Sequence, residues 1–484
     1  MLKSGREHLE SIRDGRDVYI GGEKVDDVTA HPAFRNAART IAGIYDLKAA
    51  PENRDVMSFE EGGERFSSYF LQARTKDDLQ TRFETHRRIA DSTYGMMGRS
   101  PDHVASFVTG MAAKPGAFRG YADNIVKYYE RMRREDIYAA YAVAPPQGTR
   151  DPALYQQKNL KIPTLRVVSE DDHGVIVSGV KMLATGAVLA NEIWIGNLIP
   201  LAADQLDQAI TCAVPVNSRG LSLWSRKPLE RHIVNEIDSP LTARFDETDS
   251  VVVCDRIRVP WERVFVHNDA ILARSVYLET PGHCYGNHQS NVRYWSKLQL
   301  IVGLAAKVTA ATGADQVPAT REALGRLAGL EALLGGLIQG QIHAAEAWPE
   351  GFVTFNRRYM YAALAWCTEN YSAIIDTLRE MCGGGFFQLP ADTSVLDNPE
   401  LAETFQTYWT TARMSAMDRM KLYKLAWDVV GSEFAGRHQQ YEKFYAGNSL
   451  IVRNYSYMMA PWEHFGAVVD NLIGKDKKSI GGDK

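Results

Sequence analysis

The 484-residue chain lacks the marks by which several large protein classes announce themselves. No apolar run approaches the roughly 18 residues that cross a bilayer; the stretch from Leu183 to Ala190 stops at Glu192. The five cysteines (Cys212, Cys254, Cys284, Cys367, Cys382) are scattered, with no C-x-x-C pair. That excludes a zinc ribbon, a thioredoxin-like redox motif and a disulfide framework, and it reads as a set of reduced thiols. Charge has no dominant sign: 55 Lys and Arg stand against 59 Asp and Glu, a net charge of −4. No whole-chain basic excess exists to grip nucleic acid or an anionic membrane. The opening MLKSGREHLESIRDGRD is charged throughout and has no signal-peptide core, so a soluble, cytoplasmic protein is expected. No G-x-G-x-x-G occurs, and the only Gly-Lys pair (Gly474, Lys475) lacks a following Ser or Thr, so a nicotinamide Rossmann unit and a P-loop are unsupported. G-x-S-x-G and H-E-x-x-H are missing as well.

What is present has three textures. From about residue 4 to 140 the spacing is mostly helical, as in DDLQTRFETHRRIADST, where Leu79, Phe83 and Ile89 recur among charges. From about 160 to 275 short β-branched runs take over. LRVVS, the turn residues EDDHG and VIVSG read as a hairpin, and ITCAVPV, VVVCDRIRVPW and RVFVHN read as further strands. From Asn287 onward helices return and lengthen. The spacing predicts a helical domain over 1–145, a central β domain over 146–277, and a C-terminal helical bundle with a solvated tail over 278–484. This α, β, α order argues against a doubly wound parallel sheet.

Five clusters carry groups suited to chemistry, and each also has a plain structural reading. In GRSPDH, Ser100 reads as a helix N-cap with Pro101 and Asp102 in the first turn. Arg99 would then sit beside unsatisfied amides as an anion site, with His103 on the same end; a capped surface helix explains the residues equally well. In APPQGTR, Gln147 and Arg150 follow two prolines in a loop that would hold a cofactor or merely link domains. In NHQSNVRYWSKL, His288 shares a helical face with Val292, Trp295 and Gln299, either as a core histidine or as a general base. The glycines of CGGGFFQLP suit a close backbone approach or a simple helix cap. The aromatics of GRHQQYEKFYAGN would flank a planar ring or fill a core.

Taken in order, these clusters resemble the 4-hydroxyphenylacetate 3-hydroxylase family, the oxygenase components of two-component, reduced-flavin-dependent monooxygenases. DGRDVYIGGEKVDDVTAHPAF, MGRSPDHVASF, APPQGTRD, KMLATGAVLANEIWIG, VPWERVFV, GNHQSNVRYWSKL, CGGGFFQLP and GRHQQYEKFYAGN carry the resemblance, from about Gly5 to about Pro461. It implies a mainly α, acyl-CoA dehydrogenase-like fold with a central β-barrel-like domain and a C-terminal bundle that builds a homotetramer. It implies hydroxylation of a phenol-type aromatic by dioxygen through a flavin C(4a)-hydroperoxide, with FAD, more than FMN, delivered reduced by a separate flavin reductase. Arg99 matches the family arginine near flavin and substrate. His103 and Tyr141 stand where the phenylacetate hydroxylases usually have tyrosine and histidine, a departure from that pattern. The R-S-P-D-H and N-H-Q versions look more like the chlorophenol and nitrophenol branch, in which the histidine matching His288 deprotonates the phenol. Pro146, Gln147, Arg150, Thr185, Ala187 and Phe444 match flavin-contacting segments. Gly383, Gly384 and Gly385 match a loop that meets the cofactor's ADP half across a subunit interface. A dehydratase with flavin and an iron–sulfur cluster, an acyl-CoA dehydrogenase-like enzyme and a non-catalytic scaffold are the alternatives. The first needs cysteines in the region where this chain has Met96 to Ser100.

Overall fold

A computed structural model describes residues 2–151, 153–156 and 162–473. Its amino-terminal part carries α1 (Gly5–Ser11), α2 (Arg35–Ala49), α3 (Arg54–Met57), α4 (Lys76–Ser92), α5 (Asp102–Ala112) and α6 (Ala122–Arg134). Four short strands punctuate it, β1 (Asp17–Ile20), β2 (Glu23–Val25), β3 (Ser58–Glu61) and β4 (Glu64–Ser67), and β5 (Ala139–Ala142) closes it. The middle holds β6 (Arg166–Asp171), β7 (Gly174–Thr185), β8 (Glu192–Ile195), β9 (Ile210–Pro215), β10 (Leu221–Ser225), β11 (Asp249–Pro260) and β12 (Val264–His267), with short α7 (Ala153–Gln156) and α8 (Thr242–Phe245). The carboxyl-terminal part is α9 (Leu272–Leu278), α10 (Gly282–Thr312), α11 (Pro318–His343), α12 (Arg357–Cys382), α13 (Pro399–Trp409), α14 (Ala416–Val430), α15 (Glu433–Phe444), α16 (Ser449–Met459) and α17 (Trp462–Leu472). The chain is therefore mainly α with a central β domain, as its sequence leads one to expect. Among the described residues no helix is long and apolar enough to cross a membrane.

The strands form two main sheets. One has the order β2-β1-β10-β11-β7-β6, the other β12-β9-β8-β5. β6 and β7 pair antiparallel around the Asp171–Gly174 turn, which is the hairpin legible in LRVVS-EDDHG-VIVSG. Two departures from the sequence reading matter. β1, drawn from a segment with helical texture, runs parallel to β10 and so ties the amino terminus into the central sheet. β5 runs parallel to β8, with Ala142 opposite Ile195, and places Tyr141 at the seam between the helical and β parts. Both strands are four residues long, too short for a period-two pattern to stand out from a helical one.

The long α10 is the axis of the bundle. It packs on α5, α12, α11 and α4, and residues from Gly282 to Leu298 are almost all buried. Its crossing with α5 is unusually close. A Cβ built on Gly110 would lie 2.5 Å from the Gly282 nitrogen and 2.6 Å from the Pro281 carbonyl carbon, both backbone atoms that cannot rotate away. Forcing extra volume into a packed contact typically costs about 1–3 kcal/mol. Gly110→Ala is accordingly expected to lower the apparent melting temperature, whereas Gly116→Ala, with no atom within 4 Å of its Cβ, should leave it unchanged; equal thermal shifts in the two variants would refute this account of the crossing.

Candidate active site

Arg99 lies in the turn before α5 and is held from three directions. Its backbone N–H donates to Glu247 Oε2 at 2.9 Å, and its carbonyl accepts from Tyr138 Oη at 2.6 Å. Its guanidinium donates to the Tyr445 carbonyl at 2.7 Å and to His103 Nε2. Because a guanidinium can only donate, Nε2 of His103 must accept, which leaves the ring proton on Nδ1. That Nδ1 is buried and has no partner among the described residues. Burial, then the charge of Arg99, holds the imidazole well below its ordinary pKa, so it is a neutral donor.

Around this pair lies an aromatic wall. Phe107, one helical turn after His103, stacks on it at 5.2 Å and on Tyr141 at 5.1 Å. Tyr141 Oη is buried beside the Tyr277 hydroxyl, and burial, then Tyr277, raises its pKa well above the usual value. Tyr441 and Tyr445 stack at 5.7 Å on the other side, Arg99 stands over the Tyr441 ring, and Tyr441 Oη has no partner among the described residues. His103 Nδ1 and Tyr441 Oη, buried without partners among the described residues beside Arg99, are costly in an isolated chain. They suit a planar guest carrying hydrogen-bonding atoms, which is the character of a flavin ring.

The cation-bearing floor is tightly compensated. Glu442 pairs with Arg293 (2.8 Å to Nη2) and with Lys297 (2.5 Å), all three fully buried. Burial works to raise the Glu442 pKa, but Arg293 and Lys297 prevail and hold it at about 2. Arg437 spans Glu247 (2.9 Å) and Asp249 (2.7 Å), and Asp249 also accepts from Thr185 Oγ1 at 2.6 Å. Through Glu247 this second network reaches the Arg99 backbone.

The beginning of α5 differs from expectation. The helix starts at Asp102, Pro101 takes the cap position, and Ser100 makes no side-chain cap. Ser100 Oγ donates instead to Asp102, which also accepts from His86 Nδ1 at 2.7 Å and Gln289 Nε2 at 3.3 Å. The first turn thus carries its own buried carboxylate, and the helix terminus is not an open anion site as the sequence suggests.

The expected site residues divide into those brought together and those kept apart. Arg99, His103 and Tyr141 share one wall. Thr185 and Ala187 join them: Gly186, at φ +75°, sits so close to Tyr138 that a Cβ would lie 2.2 Å from the hydroxyl bonded to Arg99. Pro146 and Gln147 follow β5 in a loop that is anchored where the Met182 N–H donates to the Ala144 carbonyl at 2.9 Å. The side chain of Arg150 lies outside the described residues. Phe444 is 48% exposed, next to Tyr445. Gly383, Gly384 and Gly385 end α12 and pack toward α14, with Gly385 against Tyr423; open space adjoins the first two.

His288 stands apart. Its ring stacks on Phe355 at 3.5 Å, and its neighbours are Phe83, His86 and Gln341, not Arg99 or His103. With Gln341 Oε1 accepting from Nδ1 at 2.7 Å, Nε2 keeps its lone pair and is buried without a partner. That is the correct form for a base, and burial, then His86, keeps it unprotonated. The reason for its position is helical phase: His288, Val292, Trp295 and Gln299 form the stripe of α10 that meets α11. His283, Gly286, Gln289 and Arg293 form the stripe facing α5, roughly 140° away between His283 and His288 at about 100° per residue.

Sequence reasoning missed His283, which meets the edge of Phe107 at 6.0 Å and bonds Tyr361 Oη at 2.8 Å through Nδ1. Burial pushes it down to about 3. Its signal was present, five residues before His288 on the opposite stripe. It also missed Glu442, legible only as a charge inside an aromatic run.

The chain belongs to the 4-hydroxyphenylacetate 3-hydroxylase family. Residues 4–266 match the family's N-terminal model and residues 273–474 its C-terminal model. The chain is 33% identical to the pyoverdin chromophore biosynthetic protein PvcC of Pseudomonas aeruginosa, over 93% of this chain and 90% of that protein. It is also 33% identical to the oxygenase component of 4-nitrophenol 2-monooxygenase of a Rhodococcus species, over 93% and 87%. Among solved structures, the oxygenase component HpaB of 4-hydroxyphenylacetate 3-monooxygenase, complexed with FAD and 4-hydroxyphenylacetate, superposes with a TM-score of 0.92 at 29% identity, covering 98% of each chain. The five cysteines are buried and free.

The buried triad gives a stability prediction. Glu442 titrates lower in the folded protein than in the unfolded chain, so its contribution is present above the ordinary carboxylate range and is lost as pH falls toward 2. Glu442→Gln leaves Arg293 and Lys297 buried without a counter-charge, a loss of about 3–5 kcal/mol. A large drop in melting temperature at pH 7 that narrows below pH 4 is expected; a drop of constant size across that range would contradict it.

Proposed function

We propose that the chain is the oxygenase component of a two-component monooxygenase that hydroxylates a phenol-type aromatic, using FAD delivered already reduced by a separate flavin reductase. The observation that carries this reading is the Arg99 wall, where the buried His103 Nδ1 and Tyr441 Oη have no partner among the described residues and Tyr141 stacks on Phe107 beside them. By the family resemblance, the residues that would hold the flavin are Pro146, Gln147, Arg150, Thr185, Ala187 and Phe444. Gly383, Gly384 and Gly385 would serve the nucleotide half in a neighbouring copy of a homotetramer. The bound reduced flavin supplies the activated oxygen derived from dioxygen.

The protein's own contribution is to bind, ionise and shield. A phenolate pushes far more electron density to the ortho and para carbons than a phenol does, so removing the hydroxyl proton is the step to catalyse. In this reading Arg99 steadies the resulting oxyanion, and a buried imidazole of α10 takes the proton: His288 by the family resemblance, or His283 by its place against Phe107. His103 and Tyr141 donate hydrogen bonds to the guest, and the Phe107 wall keeps water out. The R-S-P-D-H and N-H-Q signatures and the exchanged His103 and Tyr141 depart from the phenylacetate hydroxylase pattern, so substituted phenols, hydroxylated pyridines and hydroxyphenyl acids are all candidate substrates.

A positioned general base is worth roughly 10²–10⁴ in rate. His288→Ala is expected to slow single-turnover hydroxylation by about that factor with reduced-flavin binding intact, while His283→Ala chiefly raises KM for the phenol. Stopped-flow and product analysis on both variants, with a panel of halogenated and nitrated phenols and an added reductase, provide the test. The reverse ranking moves the base to His283, and no oxygenated product from any phenol with the wild type removes the reading.

A further inference from the structure

Lys181 on β7 is completely buried and has no carboxylate partner among the described residues. Its ammonium donates to the Gly196 carbonyl at 2.8 Å and to Asn197 Oδ1 at 2.8 Å. Asn197 Nδ2 in turn donates to the carbonyls of Gln208 (3.0 Å) and Ile210 (3.1 Å). The titratable groups that act on the ammonium are the thiols of Cys212 and Cys254, which burial keeps protonated, the first at about 12. Without a counter-ion, burial lowers Lys181 to about 8. A buried ammonium is an expensive way to fill core volume that a methionine would occupy without penalty.

What the ammonium holds explains it. Gly196 and Asn197 begin the segment 196–209 between β8 and β9, and Gln208 and Ile210 end it, so two side chains staple both ends of one loop. That loop leaves β8 beside the loop that leaves β5, because the two strands are parallel neighbours and the Gly196 N–H donates to the Ala142 carbonyl at 3.2 Å. Gly196 also fits so tightly under Tyr277 that a Cβ would lie 2.0 Å from its hydroxyl. Tyr277 meets Tyr141 at 6.2 Å and Phe107 at 6.4 Å, edge to face. Displacement of the loop stem is therefore transmitted to the aromatic wall through one ring.

We propose that Lys181, acting through Asn197, is a positioning residue that pins segment 196–209 as the outer wall of the aromatic pocket and thereby sets affinity for the aromatic substrate. The inference rests on the reading that this pocket takes the substrate. Lys181→Met keeps the stem and removes the donors; Asn197→Ala keeps the lysine and frees the far end of the loop. In the full-length protein, hydrogen exchange in peptides spanning 198–207 should rise about tenfold in both variants, with KM for the phenol up about tenfold and kcat within about twofold. Exchange and KM at wild-type values in both variants overturn the proposal, as does a fall in melting temperature with the loop unchanged. Faster loop exchange together with no phenol hydroxylation by the wild type supports the clamp and removes the functional reading instead.

Discussion

The placement of one backbone unit governs the site. The peptide groups of Arg99 are grasped on the nitrogen side by Glu247 and on the oxygen side by Tyr138, so the residue belongs as much to the β domain as to the helix it precedes. A guanidinium on a long flexible stem carries about 2 kcal/mol of rotamer entropy. Here that freedom is removed before any guest arrives, because the head is committed to the Tyr445 carbonyl at the end of α15. Three parts of the chain, remote in sequence, thus converge on one residue. Two of the three are themselves supported by buried charge: Arg437 holds Glu247, and Arg293 and Lys297 hold the helix preceding Tyr445 through Glu442.

This arrangement separates two kinds of electrostatics. Permanent charges lie in the floor, paired and desolvated, where they fix geometry but are already satisfied. The groups beside Arg99 are neutral: the His103 imidazole is kept from protonating by burial and by Arg99, and Tyr141 is kept from ionising by burial. Under the proposed function a neutral lining would favour the uncharged phenol on entry, and Arg99 would interact more strongly once the phenol ionises, which is the differential binding that speeds a reaction.

Much of this was legible in the sequence, and the failures have physical causes. The hairpin at Asp171–Gly174, the strands near 210, 251 and 264, and the long helices after 282 all carry strong periodic signals, and they appear where expected. β1 and β5 escaped because four residues carry too little pattern, and their pairing with β10 and β8 is a tertiary fact. The N-cap reading at Ser100 followed local propensity, but Asp102 found better partners in His86 and Gln289, which come from other helices. Arg99, His103 and Tyr141 could be gathered in advance only through family resemblance, since no local rule brings residue 141 to residue 103. His288 shows the converse: periodicity had already placed it with Trp295 and Gln299, and that face of α10 packs on α11.

Helix α10 therefore does two jobs on two stripes, and their separation bears on how a base could serve the pocket. The stripe facing α5 contributes His283, Gly286 and Gln289. Gly286 is needed there because a Cβ would lie 1.9 Å from the Phe107 ring. The stripe facing α11 contributes His288, whose protonation form is set by Gln341 from a different helix. The groups between His288 and the Arg99 turn are His86 and Asp102, the imidazole rings standing 6.2 Å apart and His86 bonded directly to the carboxylate in the first turn of α5. A proton accepted at His288 would thus be felt at the turn that carries Arg99 and His103 through a chain of buried, neutral or paired groups. In a low-dielectric interior such coupling would be strong, so under the proposed function the identity of the base and the geometry of the cation would not be independent.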